Sequence, residues 1–199
     1  MVNTGSVIAH ITKLLTSALC LKFFQNSLSL RVAEQGWAVC ALQILLVHSV
    51  IGVLRFGGPS TTKRFRNFYE SFSSLIEVVP SAFFTTEVLL KYSVRDEFRF
   101  LLLTLGLSPS VIELSSTRIK DRSKLEKFTN IIIGLQALVV SAVCIINENY
   151  AGVSLAASLA VARFFSEDFC DHYEVPYTDL SQYSLSFVEL FALATLKDI

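Results

Sequence analysis

The chain has 199 residues, 52% of them hydrophobic and 12% aromatic, with 17 basic side chains against 17 acidic ones and only 17% of positions charged. Water-soluble domains charge roughly a quarter of their positions. Together with a mean hydropathy of +0.54, these figures exclude a disordered chain, a polybasic nucleic-acid binder and an ordinary soluble globule. The expected fold class is all-α: a polytopic helical integral membrane protein, one domain over residues 1–199, with six to seven transmembrane or interfacial helices in one bundle.

Seven apolar segments follow one another along the chain. Residues 7–24 contain His10 and Lys13. Residues 1–6 carry no basic side chain, so this first segment reads as retained rather than as a cleaved signal. Residues 37–56 are interrupted only by Gln43, His48 and the terminal Arg55, and Gly57-Gly58-Pro59-Ser60 stops that helix. Residues 68–90 hold Glu70, Glu77 and Glu87, with Pro80 expected to kink the helix and free carbonyls one turn earlier. Residues 98–114 span if the helix tolerates Pro109 and Glu113, residues 128–146 are free of charge, and residues 150–165 and 180–196 are short, the last with Glu189 near its centre. The first and third segments carry charges near their middles, so the first or the third is expected to lie along the interface. Asn147-Glu148-Asn149 leaves room only for a tight antiparallel hairpin between the fifth and sixth.

If each segment crosses once, Arg55, Lys63, Arg64, Arg66, Arg118, Lys120, Arg122, Lys124 and Lys127 gather on one face, and Lys22, Arg31, Lys91, Arg95 and Arg99 on the other. The richer face, with the N-terminus, is then cytosolic. The basic run Arg118, Lys120, Arg122 and Lys124 is placed to meet lipid headgroups, although topology alone asks for basic residues there.

Ionisable side chains inside apolar segments mark the places where chemistry is expected. On a helix over residues 68–90, Glu70, Ser73, Ser74, Glu77, Ser81 and Thr85 share one face, which reads first as polar glue between helices and second as a substrate path. Glu113 and Glu189 repeat the pattern, and His48 lies on a small-residue face with Ala41 and Gly52. His48, Glu77, Glu113 and Glu189 together would bind a cation or relay protons, but no ExxH or HExxH spacing forces them together. Glu77 is expected to face protein and to find a cationic or hydroxyl-bearing partner, with His48 of the preceding helix preferred. Gly152, Ala156 and Ala160, four apart, form a helix-packing line. Cys170, His172 and Glu174 alternate as a metal clasp would, yet a solvated acidic loop explains them more simply. The four cysteines, at positions 20, 40, 144 and 170, lack CxxC spacing and read as buried thiols or palmitoylation targets. No metal site or cofactor is assigned.

Three functions fit these residues. The first is a non-catalytic subunit that docks and supports a larger channel, transporter or lipid-handling assembly, its polar chemistry being dispersed over many segments. The second is a transporter or lipid-transport protein with a polar path lined by intramembrane carboxylates. The third is a membrane-embedded enzyme using His and Glu, without a nucleophile elbow, zincin helix or P-loop to support it. Partners are membrane lipids and other membrane proteins in a hetero-complex, with no nucleic acid. The location is an integral membrane one, the endoplasmic reticulum or another endomembrane by default and the plasma membrane as the alternative.

Overall fold

The computed structural model describes residues 3–24, 36–58, 62–115, 122–164, 170, 172 and 176–197. Every regular element among them is an α-helix: α1 (Thr4–Phe24), α2 (Trp37–Gly57), α3 (Lys63–Ile76), α4 (Val79–Lys91), α5 (Asp96–Ser115), α6 (Arg122–Ile146), α7 (Tyr150–Phe164) and α8 (Tyr177–Lys197). Five stretches are long and apolar enough to cross a membrane: α1, α2, the α3–α4 pair taken together, α5 and α6. α7 is apolar but shorter.

Pro80 does more than kink the third segment. It occupies the first turn of α4, where its missing N–H is tolerated, and the α-helical ladder lapses after Glu77, where the Val78 amide bonds to Leu75, three residues back instead of four. Two helices with different exposures result. The first half of α3 is exposed at Lys63, Arg64 and Arg66, whereas α4 buries Ala82, Phe84, Val88 and Leu89. Two other turns close with left-handed residues that are not glycine, Ser93 at φ 52° and Glu148 at φ 56°. In each, the two amides around that residue return to the helix just ended: Ser93 to Leu90 and Val94 to Leu89, then Glu148 to Ile145 and Asn149 to Cys144. The Asn149 side chain then accepts from the Gly152 amide and starts α7, so the α6–α7 connection is a tight hairpin.

Paired residues give the helix directions. α1 opposes α2, with Asn3 bonded to Phe56 and Lys13 to His48, and runs alongside α8 in the same sense, with Ser6 bonded to Asp179 and Ser17 to Glu189. The N-termini of α1, α3 and α8 and the C-terminus of α2 thus share one end of the bundle, called here end A. Lys91, Thr195, Asn149 and Tyr92 meet at the opposite end B through the bonds Lys91 to Thr195 and Asn149 to both Tyr92 and Thr195. α1, expected at an interface, is instead packed between α2 and α8. The expectation failed because Lys13 was treated as a charge seeking water, whereas it is fully buried with partners from two neighbouring helices.

The interior divides along its length. The half toward end B is apolar, filled by Cys20, Leu42, Leu45, Phe84, Val140, Cys144, Leu155, Val188 and Ala192. Small residues let backbones close there: a Cβ on Gly152 would strike Cys144 and lie 3.2 Å from Thr195. Gly152 and Ala156 therefore pack inward against α6 and α8, with Ala160 half-buried at the end of the same line. The half toward end A is polar, and it holds the site.

Candidate functional site: a buried ionisable core along α1

α1 is amphipathic in the inverted sense. Ser6, His10, Lys13 and Ser17, at helical spacing, are buried; Ile8, Ile11, Leu15, Leu19 and Phe23 on the other side are exposed, Leu15 at 59%. The outside of the bundle repeats this, with Ile131 and Leu138 of α6 each 70% exposed. A helix that turns its Leu and Ile outward and its Lys and His inward has the pattern that apolar surroundings favour.

Each polar group of α1 meets a partner. Ser6 donates to Asp179 at 2.6 Å, and Ser17 donates to Glu189 at 2.7 Å. Lys13 Nζ lies 2.7 Å from His48 Nδ1 and also donates to the Gln182 carbonyl. His48 Nε2 lies 2.9 Å from Ser73 Oγ, and the hydroxyl of Tyr69, one turn earlier on α3, lies 3.0 Å from His10 Nε2. One assignment of hydrogens satisfies these contacts: Lys13 donates to His48 and His48 to Ser73, while Tyr69 donates to His10. The rings are close as well, His10 and His48 at 5.4 Å and His48 and Tyr69 at 5.1 Å, nearly parallel. Gly52 makes this possible, since any Cβ there would overlap the His10 ring. From Ser6 to Ser17 the core runs about 16 Å along α1.

Two atoms in this core have no hydrogen-bond partner among the described residues, His10 Nδ1 and Glu189 Oε2. Arg55 caps the end-A side, its guanidinium 4.4 Å from the centre of the Tyr69 ring and 3.4 Å from Glu70. Beyond Glu189, α8 continues into the apolar half with Ala192 and Leu193. Toward end B the Cys20 thiol donates to the Glu189 backbone carbonyl at 3.7 Å, and apolar side chains follow.

Sequence reasoning assembled a different group. The structure keeps His48 and Glu189 inside, both against α1, but places Glu77 and Glu113 elsewhere. Glu77 sits half-exposed at the α3–α4 break and pairs with Arg163 of α7 at 2.7 Å, not with His48; Arg163 is steadied by Asn130 at 2.6 Å. Glu113 is exposed near the end of α5. The proposed four-residue constellation is thus not formed, because the helix break turns Glu77 toward α7 while Ser73, one turn earlier, takes the His48 contact. Lys13, His10, Tyr69 and Gln182 are the residues that sequence reasoning missed. Their signal was present in the spacing of Ser6, His10, Lys13 and Ser17, one polar line on an otherwise greasy helix.

Of the basic run, Arg118 and Lys120 lie outside the described residues, as does the side chain of Arg122; Lys124 is exposed near the start of α6. Glu174 of the suggested metal clasp also lies outside them. Among the described residues, no three His, Cys, Asp or Glu side chains cluster as metal ligands. Cys20, Cys40, Cys144 and Cys170 are free thiols. No protein-family model matches the chain, and no curated protein or solved structure is similar to it.

Proposed function

We propose that the chain is an integral membrane protein of seven crossings, with α3 and α4 forming one broken span, and that it belongs to the transporter class, working through the ionisable core on α1. One observation carries this reading: Lys13, His48 and Glu189 are fully buried together behind an apolar exterior. Ionisable side chains at that depth are costly to insert and are characteristic of ion, proton and substrate pathways. The docking-subunit reading draws its support from polar chemistry dispersed over many helices; His48 and Glu189 meet on α1 while Glu77 and Glu113 stay apart, and the transporter reading rests on the first pair. The small-residue line on α7 is also taken up internally. With end A on the cytosolic side, the nine-to-five bias of basic residues is accommodated.

The subunit reading retains one feature in its favour, an outward groove between α7 and α8 lined by Ser154, Ala157, Ser158, Val161, Ser184 and Phe187. A neighbouring transmembrane helix would fit such a small-residue surface. Two measurements on the full chain separate the readings. In proteoliposomes energised by a pH gradient and offered a panel of solutes and lipids, wild-type protein moves at least one class, and Lys13→Met and Glu189→Gln, incorporated equally, do not. A wild-type chain that moves nothing, and that leaves gentle detergent with another membrane protein in comparable amount, refutes the transporter reading in favour of the subunit.

A further inference from the structure

α3 covers the ionisable core without being packed into the bundle. Of its 14 residues only Tyr69 and Ile76 are buried, and its main neighbour is α2. Burial rises along its length: residues 62–68 are exposed apart from the half-buried Phe65, residues 72–75 are half-buried, and Ile76 sits in the apolar cluster. Beneath it lie His10 and His48, each 1% exposed. The Tyr69 ring is centred 5.8 Å from His10 and 5.1 Å from His48, and the Phe72 ring 5.7 Å from His48. We infer that α3 is a lid, hinged at the break before Pro80, which closes the core here and opens His10 and His48 to end A when it lifts from α2. What it admits rests on the transporter reading; the movement does not.

The hinge follows from the backbone. The Val78 amide reaches back only to Leu75, Pro80 has no amide to offer the Ile76 carbonyl, and the ladder resumes with Ala82 on Val78. On the far side of this gap α4 is held firmly, burying Ala82, Phe84, Val88 and Leu89. Glu77, at the gap itself, is tied to Arg163 of α7 at 2.7 Å. Rotation is therefore concentrated at the end of α3 nearest Pro80, and the opposite end has the most freedom to move.

The clasp is polar and borders water. Tyr69 bonds to His10 at 3.0 Å and Ser73 to His48 at 2.9 Å, while the Arg55 guanidinium lies 4.4 Å from the centre of the Tyr69 ring and 3.4 Å from Glu70. Water can replace each of these hydrogen bonds on opening. The closed lid also leaves Arg55 Nη1 and His10 Nδ1 buried without a partner among the described residues, a cost that water relieves when the lid lifts. Both features bring the open state close in energy to the closed one.

The first test measures distances between spin labels by pulsed electron resonance on the full chain in lipid nanodiscs. Cys40→Ala leaves only buried native thiols, so the labels go where cysteines are placed. Labels introduced by Arg66→Cys on α3 and Ser123→Cys on α6 are expected to give two distances. A control pair, Leu54→Cys on α2 with Ser123→Cys, is expected to give one. Tyr69→Phe and Ser73→Ala, each removing one clasp bond, should multiply the minor population by about three to ten and leave the control pair unmoved, which also shows that the variants are folded. A single Arg66–Ser123 distance, the same in wild type and in both variants, overturns the lid.

The second test asks what the movement admits. Arg55→Cys and Glu70→Cys, bridged by a short cleavable thiol cross-linker, should stop transport, and cleavage should restore it in the same molecules. Transport that continues while the bridge is intact overturns the lid as the way into the core and leaves the transporter reading standing. If wild type moves nothing, the transporter reading falls and the measured distances decide the lid by themselves.

Discussion

Lys13→Met is the substitution through which the buried core can be weighed. Methionine matches the length of the lysine stem and leaves little cavity, so the change isolates the ammonium. Its loss leaves His48 Nδ1 and the Gln182 carbonyl buried without their donor. Hydrogen bonds to a charged group contribute about 1.5–3 kcal/mol each, while removing the ammonium also removes the cost of keeping it out of water. The net loss expected is about 2–4 kcal/mol, equivalent to about 5–15 °C in the midpoint for a chain of this size. The assay is thermal unfolding in detergent followed with a thiol-reactive dye, because Cys20 and Cys144 are free and fully buried and react only on opening. Adding Gln182→Leu removes one orphaned acceptor and should recover part of the loss, a non-additivity that a mere surface lysine would not produce. A Lys13→Met protein as stable as wild type, with unchanged dye kinetics, refutes the claim that Lys13 is a bonded interior group.

The remaining substitutions probe other parts of the bundle by the same unfolding assay. Gly152→Val drives a branched side chain into Cys144 and Thr195 and should cost about 1–3 kcal/mol; a neutral result would mean that α7 does not close on α6 and α8 there. Glu148→Gly relieves a left-handed residue at φ 56° and should stabilise by about 0.5–1 kcal/mol, whereas destabilisation would place that turn in another conformation. Arg163→Ala removes the bond to a half-exposed Glu77 and should cost no more than about 1 kcal/mol; a loss several times larger would make Glu77 part of the buried core after all.

The helices were legible because hydrophobic runs, Gly57-Gly58 and the short Asn147–Asn149 connection act locally, and each apolar segment is helical, the third divided in two before Pro80. What local pattern did not carry was the pairing between helices. His48 had candidate partners on several segments, and choosing the next helix in sequence led to Glu77, although the partners are Lys13 of the preceding helix and Ser73 of the next. Pro80 was legible as a disturbance, but the resulting divergence of Ser73 and Glu77 is a tertiary outcome, fixed by Arg163 on a helix 86 residues further along. The buried line on α1 was readable in principle. It was overlooked because charges in an apolar segment were scored as faults in a span rather than as one face of it.

Accessibility along α1 tests the inside-out bundle most directly. Single spin labels at Leu15, Leu19, Lys13 and Ser17 of the protein in lipid bilayers report contact with oxygen, which concentrates in hydrocarbon, and with a water-soluble paramagnetic nickel complex. The account predicts labels at Leu15 and Leu19 reached by oxygen and shielded from nickel, and labels at Lys13 and Ser17 reached by neither. Labels at Leu15 and Leu19 open to nickel, or a Lys13 label open to oxygen, would contradict it.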